Sequence, residues 1–261
     1  MSDTILLRRD GALARITLNR PASLNAVDAE MATRWRDVAA EVAADASIGA
    51  VILDAAGRAF CAGGDVVSMS TSGLGGAEVT DTARIINDGI VSLTSSGVPI
   101  VAAVQGPVAG GGLGIMLVAD LIIAAPTASF VSKYANIGLT PDLGVSTLLP
   151  AAIGQRRALQ LLLTDTTIDA ETARSWGLVA EVDADPAGRA EAVAQSWLTG
   201  ATGAFGQAKR LVRGGSDRPF HDSLDDEART IGGRFDTDEA RTRIEAFAAA
   251  SARRTRPEET A

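Results

Sequence analysis

Two short glycine clusters are the residues of this chain whose types and spacing could support chemistry. One is Phe60-Cys61-Ala62-Gly63-Gly64-Asp65, between an apolar strand and a predicted helix, and the other is Gly110-Gly111-Gly112, just before a short apolar helix. Backbone N–H groups at a helix start have no intrahelical acceptor and lie at the positive end of the dipole. Two such donors aimed at one point would form an oxyanion hole, which stabilises charge on a carbonyl oxygen. Tight turns with close packing explain the glycines equally well, so both interpretations stay open here.

Composition argues against several other kinds of protein. The 261 residues are 46% hydrophobic and 21% charged, which is typical of a globular chain rather than a disordered one. The net charge of −8 argues against a nucleic-acid-binding protein held by phosphate contacts. A single cysteine, Cys61, and a single histidine, His221, exclude an internal disulfide and a multi-histidine metal site within one chain. Neither glycine cluster matches a nucleotide-binding motif.

Alternating strands and helices must position the two clusters. Alternation of apolar and polar residues around Asp10-Gly11 predicts a β-hairpin from 5–9 and 12–19. Apolar strands are predicted at 50–53, 99–104 and 121–125, and helices from the cap residues 23–28 to about 44, at 77–95 and at 113–119. This order predicts a stacked α/β architecture with buried, partly parallel sheets. Helices are predicted beyond Gly144 at 155–163, 169–176, 186–213 and 220–253.

The charge-free stretch 89–119 is too interrupted by glycine and proline to span a membrane, and it predicts a helix end, a buried strand and a buried helix. The first ten residues lack the cationic start and apolar run of a signal peptide. We therefore expect a soluble, cytoplasmic protein with no membrane partner.

Six segments between residues 16 and 182 are informative in combination, although each is weak alone. They are Leu18-Asn19-Arg20-Pro21-Ala22-Ser23-Leu24-Asn25-Ala26, Phe60-Cys61-Ala62-Gly63-Gly64-Asp65, Val104-Gln105-Gly106-Pro107-Val108-Ala109-Gly110-Gly111-Gly112, Asp120, Ile137-Gly138-Leu139-Thr140-Pro141-Asp142 and Ala173-Arg174-Ser175-Trp176-Gly177-Leu178-Val179. Together and in this order they resemble the crotonase family of enoyl-CoA hydratases and isomerases.

The resemblance implies a fold and an assembly. The expected fold is α/β, a crotonase-like spiral of ββα units with a C-terminal helical trimerisation region. Residues 1–200 would form the crotonase-like core domain and residues 201–261 the C-terminal helical oligomerisation region. The expected assembly is a homotrimer or a dimer of trimers.

The resemblance also implies a ligand. The substrate would be an acyl-CoA thioester, with coenzyme A as part of the substrate and with neither a cofactor nor a metal. The N–H groups of Gly64 and Gly111 would bind the thioester oxygen and stabilise an enolate. The pantetheine and adenine path would be lined by Ala22, Leu24, Ala62 and Asp65.

Two positions depart from the hydratase pattern of the family. Hydratases carry a glutamate two residues beyond the triple glycine and a second about twenty residues later, and they use the pair to activate water and protonate carbon. These positions hold Gly114 and Tyr134 here. Gly114 would provide room for the ligand or for helix packing, and a phenol with a pKa of about 10 is a poor base. We expect Tyr134 to shape the acyl pocket, with its hydroxyl available to a polar acyl group or a water.

One carboxylate remains in this region, that of Asp142. A Pro-Asp pair here resembles the isomerase branch, which includes ring-epoxide phenylacetyl-CoA isomerases and some Δ3,Δ2-enoyl-CoA isomerases, and whose aspartate moves a proton along the acyl chain. One carboxylate suffices for an isomerase because the group that removes the proton also returns it. The alternative, which does not exclude catalysis, is that Asp142 caps the predicted helix 144–153.

Other reactive side chains have simpler interpretations. Cys61 is expected to be a small packing residue, and His221 a surface or interface residue. Lys209 and Arg210 either meet the phosphates of coenzyme A or lie on a solvated helix face.

The sequence therefore predicts an acyl-CoA isomerase of the enoyl-CoA Δ-isomerase or epoxyphenylacetyl-CoA isomerase type. Gly64 and Gly111 would stabilise the thioester enolate while Asp142 shuttles the proton. The alternatives are an enoyl-CoA hydratase or CoA-thioester hydrolase of the same fold, and a non-catalytic acyl-CoA-binding protein.

Overall fold

The computed structural model describes residues 3–164, 166–215 and 218–254. Its strands are β1 (Ile5–Asp10), β2 (Leu13–Leu18), β3 (Ala50–Ala55), β4 (Ile100–Val104), β5 (Val108–Ala109), β6 (Leu121–Ala124), β7 (Ser129–Val131), β8 (Ile168–Asp169) and β9 (Glu181–Val182). Its helices are α1 (Ala29–Ala44), α2 (Val66–Thr71), α3 (Gly76–Ser95), α4 (Gly111–Met116), α5 (Val145–Ile153), α6 (Gln155–Leu163), α7 (Ala170–Trp176), α8 (Pro186–Thr199), α9 (Thr202–Gly215), α10 (Phe220–Phe235) and α11 (Asp238–Arg254). Residues 255–261, the end of the predicted oligomerisation region, lie outside the described residues.

A six-stranded sheet in the order β1-β2-β3-β4-β6-β9 is the frame of the molecule. The predicted hairpin of β1 and β2 is confirmed as antiparallel, and the other neighbours pair in parallel. Both faces of the sheet are covered, which is why β3 and β4 are almost entirely apolar. Val51 and Leu53 face the cluster that includes residues of α1 and α3, whereas Ala50 and Ile52 face α8. A second sheet has the order β5-β7-β8.

Helices α1 and α3 pack closely because one position is glycine. Trp35 of α1 is buried, and its indole N–H donates to the carbonyl of Ile86 in α3 at 3.2 Å. A side chain at Gly89 would overlap that indole. The start of α1 is fixed by Asp28, whose carboxylate accepts the N–H of Met31 at 2.9 Å.

The stretch 89–119 folds as predicted, into the end of α3, strand β4 and helix α4. None of the helices in the described part of the chain is long and apolar enough to cross a membrane.

Two long segments that are predicted to be helical each form two helices in the structure. The prediction of a single helix at 186–213 is wrong because α8 stops at Gly200 before α9 begins. The prediction that 220–253 is helical is confirmed, and it forms two helices because α11 has its own cap, the Thr237 hydroxyl, which accepts the N–H of Ala240 at 3.2 Å. The predicted boundary between residues 200 and 201 falls between α8 and α9, and the separate role of the C-terminal region stays a prediction.

A buried ion cluster fastens α9 to the frame. The Lys209 side chain is 3% exposed and pairs with Asp120 at 3.1 Å. Its ammonium also donates to the carbonyls of Leu93 and Val98, at 3.0 and 2.7 Å. Arg213 pairs with the other oxygen of Asp120 at 3.1 Å. Both predicted interpretations of Lys209 are therefore wrong, since its donors are used inside the protein.

We expect Lys209→Met to lower the free energy of unfolding by about 3 kcal/mol, because the buried carbonyls of Leu93 and Val98 lose their donor and Asp120 loses one of its ion-pair partners. The matched control is Arg84→Met, which breaks a pair whose side chains are 73% and 70% exposed and which should cost less than about 1 kcal/mol. Chemical denaturation of both variants at one protein concentration measures the difference. Equal losses would contradict the structural role of Lys209.

Candidate active site

Asn25 fixes the loop that leads to the first glycine cluster. It is fully buried, and its φ of 57° is the left-handed conformation that asparagine tolerates better than other side chains. Its Oδ1 accepts the N–H of Arg20 at 2.7 Å, and its amide donates to the carbonyls of Ala56 and Ala59 at 2.9 Å. The motif alone did not predict this role of Asn25, for which an asparagine in a turn segment was the available signal.

Residues predicted to line the coenzyme A path lie on adjoining backbone segments. The carbonyl of Leu24 accepts the N–H of Ala62 at 3.0 Å, which joins two of them directly. Ala22 is exposed in a short 3-10 turn, Pro21–Ser23, two residues before Leu24. The structure thus brings Ala22, Leu24 and Ala62 to one neighbourhood.

Asp65, predicted for the same path, has two structural contacts for its carboxylate. It caps α2 by accepting the N–H of Ser68 at 3.0 Å, and it pairs with Arg20 at 3.1 Å. Arg20 also pairs with Asp28 at 2.8 Å, so it ties the start of α1 to the start of α2.

The two glycine clusters are joined by backbone hydrogen bonds. The N–H of Cys61 donates to the carbonyl of Pro107 at 3.3 Å, and the carbonyl of Cys61 accepts the N–H of Ala109 at 2.9 Å. A side chain at Gly112 would overlap the Cys61 carbonyl oxygen and lie 2.9 Å from its Cβ. Glycine at 112 is therefore required by close packing, which was one of the two interpretations of the clusters.

Gly64 and Gly111, the predicted oxyanion-hole donors, lie at this junction. Gly63 has a φ of 93°, and a Cβ on it would be 3.1 Å from the backbone nitrogen of Gly111. Gly110 is the N-cap of α4, so the N–H of Gly111 lies in the first turn, where a helix offers no acceptor. Across the described ranges, neither the Gly64 nor the Gly111 N–H has a hydrogen-bond acceptor. Both N–H groups thus lie on neighbouring segments, and their role as oxyanion donors stays a prediction.

Asp142 lies beside Gly111. Its Oδ1 is 3.5 Å from the point where a Cβ on Gly111 would stand, and it accepts a hydrogen bond from the Tyr134 hydroxyl at 2.5 Å. Partial burial raises the pKa of Asp142, and the hydrogen bond from Tyr134 opposes that rise. The alternative of a helix-capping Asp142 is wrong, because α5 starts after Gly144 with no side-chain cap.

The Tyr134 ring is 7% exposed, and burial followed by the neighbouring Asp142 charge raises the pKa of its phenol above its usual range. Its hydroxyl was predicted to be available to the acyl group or a water, but in this structure it donates to Asp142.

Gly114 lies beneath the loop that carries Asp142. Leu143 has a φ of 50° and Gly144 a φ of 76°, which turn the chain over α4. A Cβ at position 114 would overlap the carbonyl oxygen of Leu143 and lie 2.9 Å from its Cβ. A glutamate cannot occupy this position unless the loop moves, so the packing interpretation of Gly114 is confirmed.

Cys61 and His221 are placed as expected, whereas Arg210 pairs with a carboxylate of another helix. The buried Cys61 thiol donates to the carbonyl of Asn25 at 3.2 Å, and burial raises its pKa to about 11, so it packs and does not ionise at neutral pH. The His221 side chain is 93% exposed on α10, and Arg210 pairs with Asp226 at 2.8 Å. The described residues contain no group of three His, Cys, Asp or Glu side chains suited to a metal ion.

The chain is similar to known enoyl-CoA hydratases and isomerases. A family model described as enoyl-CoA hydratase/isomerase matches residues 8–253. A Mycobacterium tuberculosis (strain CDC 1551 / Oshkosh) protein named probable enoyl-CoA hydratase echA8 is 32% identical over 94% of this chain and 95% of its own. The 1,2-epoxyphenylacetyl-CoA isomerase of Escherichia coli (strain K12) is 32% identical over 86% of this chain and 87% of its own.

Among solved structures, enoyl-CoA hydratase from Bacillus anthracis superposes with a TM-score of 0.88 at 26% identity, covering 95% of this chain and 96% of that one. The crotonase-like α/β fold implied by the sequence motifs is therefore confirmed. The names of the relatives include both a hydratase and an isomerase, so they do not separate the two activities.

We expect Gly114→Ala to destabilise the protein by about 1–3 kcal/mol, because the added methyl group must displace the Leu143 carbonyl. Activity should fall as well, since the displaced loop carries Asp142. The control is Gly76→Ala, where an added Cβ meets nothing within 4 Å. Thermal denaturation and turnover of both variants test this; a stable, fully active Gly114→Ala protein would contradict the packing.

Proposed function

This chain belongs to the enoyl-CoA hydratase/isomerase family, and from that premise we propose that it is an acyl-CoA isomerase, of the enoyl-CoA Δ-isomerase or epoxyphenylacetyl-CoA isomerase type. The observation that carries the proposal is the position of Asp142 beside Gly111 while the Leu143 carbonyl closes position 114. One family position for a hydratase glutamate is thereby closed, and the other holds Tyr134. A single carboxylate suits a reaction that removes and returns one proton.

In the proposed reaction, the N–H groups of Gly64 and Gly111 bind the thioester oxygen. With a 3-enoyl thioester, the Asp142 carboxylate takes a proton from C-2, and the electron pair passes to the thioester oxygen as a dienolate forms. The protonated Asp142 then gives the proton to C-4, and the double bond forms between C-2 and C-3. Donors to such an oxyanion typically contribute about 2.7–4 kcal/mol each to transition-state stabilisation.

Asp142 is suited to both halves of this transfer. Partial burial raises its pKa, which makes the carboxylate a stronger base than that of a free aspartate. General acid–base assistance by such a group contributes about 10²–10⁴-fold to the rate.

The rest of the substrate would lie along Ala22, Leu24 and Ala62, with Asp65 at the start of α2. Coenzyme A enters as part of the substrate. The proposed isomerisation gains no electrons and loses none, so its balance requires no redox cofactor.

We expect Asp142→Asn to reduce 3-enoyl-CoA isomerisation at least about a hundredfold while binding of the thioester is retained, because the amide cannot accept the proton. Crotonyl-CoA hydration should be negligible in wild type and variant. Parallel assays of both reactions, with direct measurement of acyl-CoA affinity, test this.

A matched control is Asp37→Asn on α1, where the carboxylate is 52% exposed and pairs with Arg36. If hydration or thioester hydrolysis is faster than isomerisation, the isomerase proposal is overturned in favour of that activity. If the protein binds acyl-CoA but turns over neither 3-enoyl nor ring-epoxide thioesters, and Asp142→Asn leaves its affinity unchanged, an acyl-CoA-binding protein is favoured.

We also propose that the C-terminal helices assemble a homotrimer or a dimer of trimers. Large apolar side chains of α9–α11 are exposed, and a folded chain seldom leaves so many uncovered. They include Val212 (79%), Phe220 (78%), Ile231 (72%), Phe235 (66%) and Phe247 (76%).

Light scattering should therefore give three or six times the chain mass of 26.7 kDa. The double variant Ile231→Glu, Phe235→Glu should give smaller species, because charged side chains cannot be buried unpaired in an interface. A monomeric wild type would overturn the assembly.

A further inference from the structure

We propose that Tyr134 is a positioning residue for Asp142: its hydroxyl holds Oδ1, so that Oδ2 alone removes and returns the substrate proton. This inference rests on the proposed function of Asp142. It begins from the 2.5 Å hydrogen bond between the Tyr134 hydroxyl and Oδ1.

The phenol is held in place from several sides. Tyr134 is 7% exposed and lies three residues after the end of β7. Its carbonyl accepts the N–H groups of Ile137 and Leu139, at 3.2 and 3.0 Å, which fixes the backbone at the start of the next turn. A donor fixed in this way sets the orientation of its acceptor without reorganising during the reaction.

Asp142 has few other groups to orient it. Helices α4 and α5, which pack around its loop, carry no charged side chain. The Asp65 carboxylate is paired with Arg20, and the Cys61 thiol donates to the carbonyl of Asn25. In the described part of the chain, the Tyr134 hydroxyl is the side-chain donor to the Asp142 carboxylate.

The consequence concerns which oxygen carries the proton. A carboxylate free to rotate can accept a proton on one oxygen and exchange it with solvent before returning it. With Oδ1 held, the proton from C-2 moves to Oδ2, and the same O–H bond breaks when C-4 is protonated. Tyr134 keeps its own proton throughout, since it donates in both states of Asp142.

The test is Tyr134→Phe, which removes the hydroxyl and keeps the ring. The acidic limb of the pH profile of kcat/KM, set by protonation of Asp142, should move to higher pH, because loss of the hydrogen bond destabilises the carboxylate. We expect kcat to fall about tenfold or more, the scale of a lost hydrogen bond to a charged group, with KM changed less than about twofold. In D2O, the variant product should contain more solvent deuterium at C-4.

A readout independent of activity is titration of the Asp142 carboxyl carbon by NMR, assigned through its loss in Asp142→Asn. Its pKa should rise in Tyr134→Phe. The matched control is Ser132→Ala, two residues away, which removes a buried hydroxyl that has no hydrogen-bond partner among the described residues. This control should leave the pH limb and the titration unchanged.

The outcomes separate the two proposals. An unchanged pH limb and an unchanged carboxyl titration in Tyr134→Phe would overturn the positioning role, even with Asp142→Asn inactive. Full turnover by Asp142→Asn would overturn the proposed function and this inference with it. An upward shift in both readouts, absent from Ser132→Ala, supports Tyr134 as the group that orients the base.

Discussion

The candidate site depends on backbone segments that approach more closely than any side chain would allow. The carbonyl of Cys61 occupies the space over Gly112, and the carbonyl of Arg58 occupies the space over Gly106. These approaches bring the loop after β3 against the start of α4, and so place the donors of Gly64 and Gly111 on neighbouring segments. Glycine loses more conformational entropy on folding than other residues do. Because it has no side chain, however, it allows the two segments to approach this closely.

The same packing constraint links the lack of a glutamate at position 114 to the position of Asp142. Gly114 allows the Leu143 carbonyl to lie on α4, and that placement brings the adjacent Asp142 beside Gly111. A glutamate at position 114 and an aspartate beside Gly111 therefore exclude each other in this loop conformation. The proposed isomerase chemistry therefore depends on the packing of the Leu143 carbonyl on α4 as much as on the reactivity of Asp142.

Three basic side chains of the molecule are paired with carboxylates other than that of Asp142. Arg20 is used between α1 and α2, while Lys209 and Arg213 are used on Asp120, where they attach α9 to the frame. Coulomb interactions act strongly on a partly buried carboxyl, so a nearby cation would hold it ionised. Its neutral neighbour Tyr134 orients it instead.

The sequence by itself determined the hairpin, the apolar strands, helix α6 and the family, because periodicity, turn residues and motif order are local and additive signals. It also predicted Gly64 and Gly111 as oxyanion donors and Asp142 as the base, and these roles stay predictions. Only the tertiary structure decided that Tyr134 donates to Asp142, that Leu143 closes position 114 and that Lys209 is buried on Asp120. Lys209 and Asp120 are joined across a long sequence separation, and the approach of Leu143 to Gly114 accompanies the left-handed turn at 143–144. No local pattern encodes such geometry, because it is set by how the elements pack together.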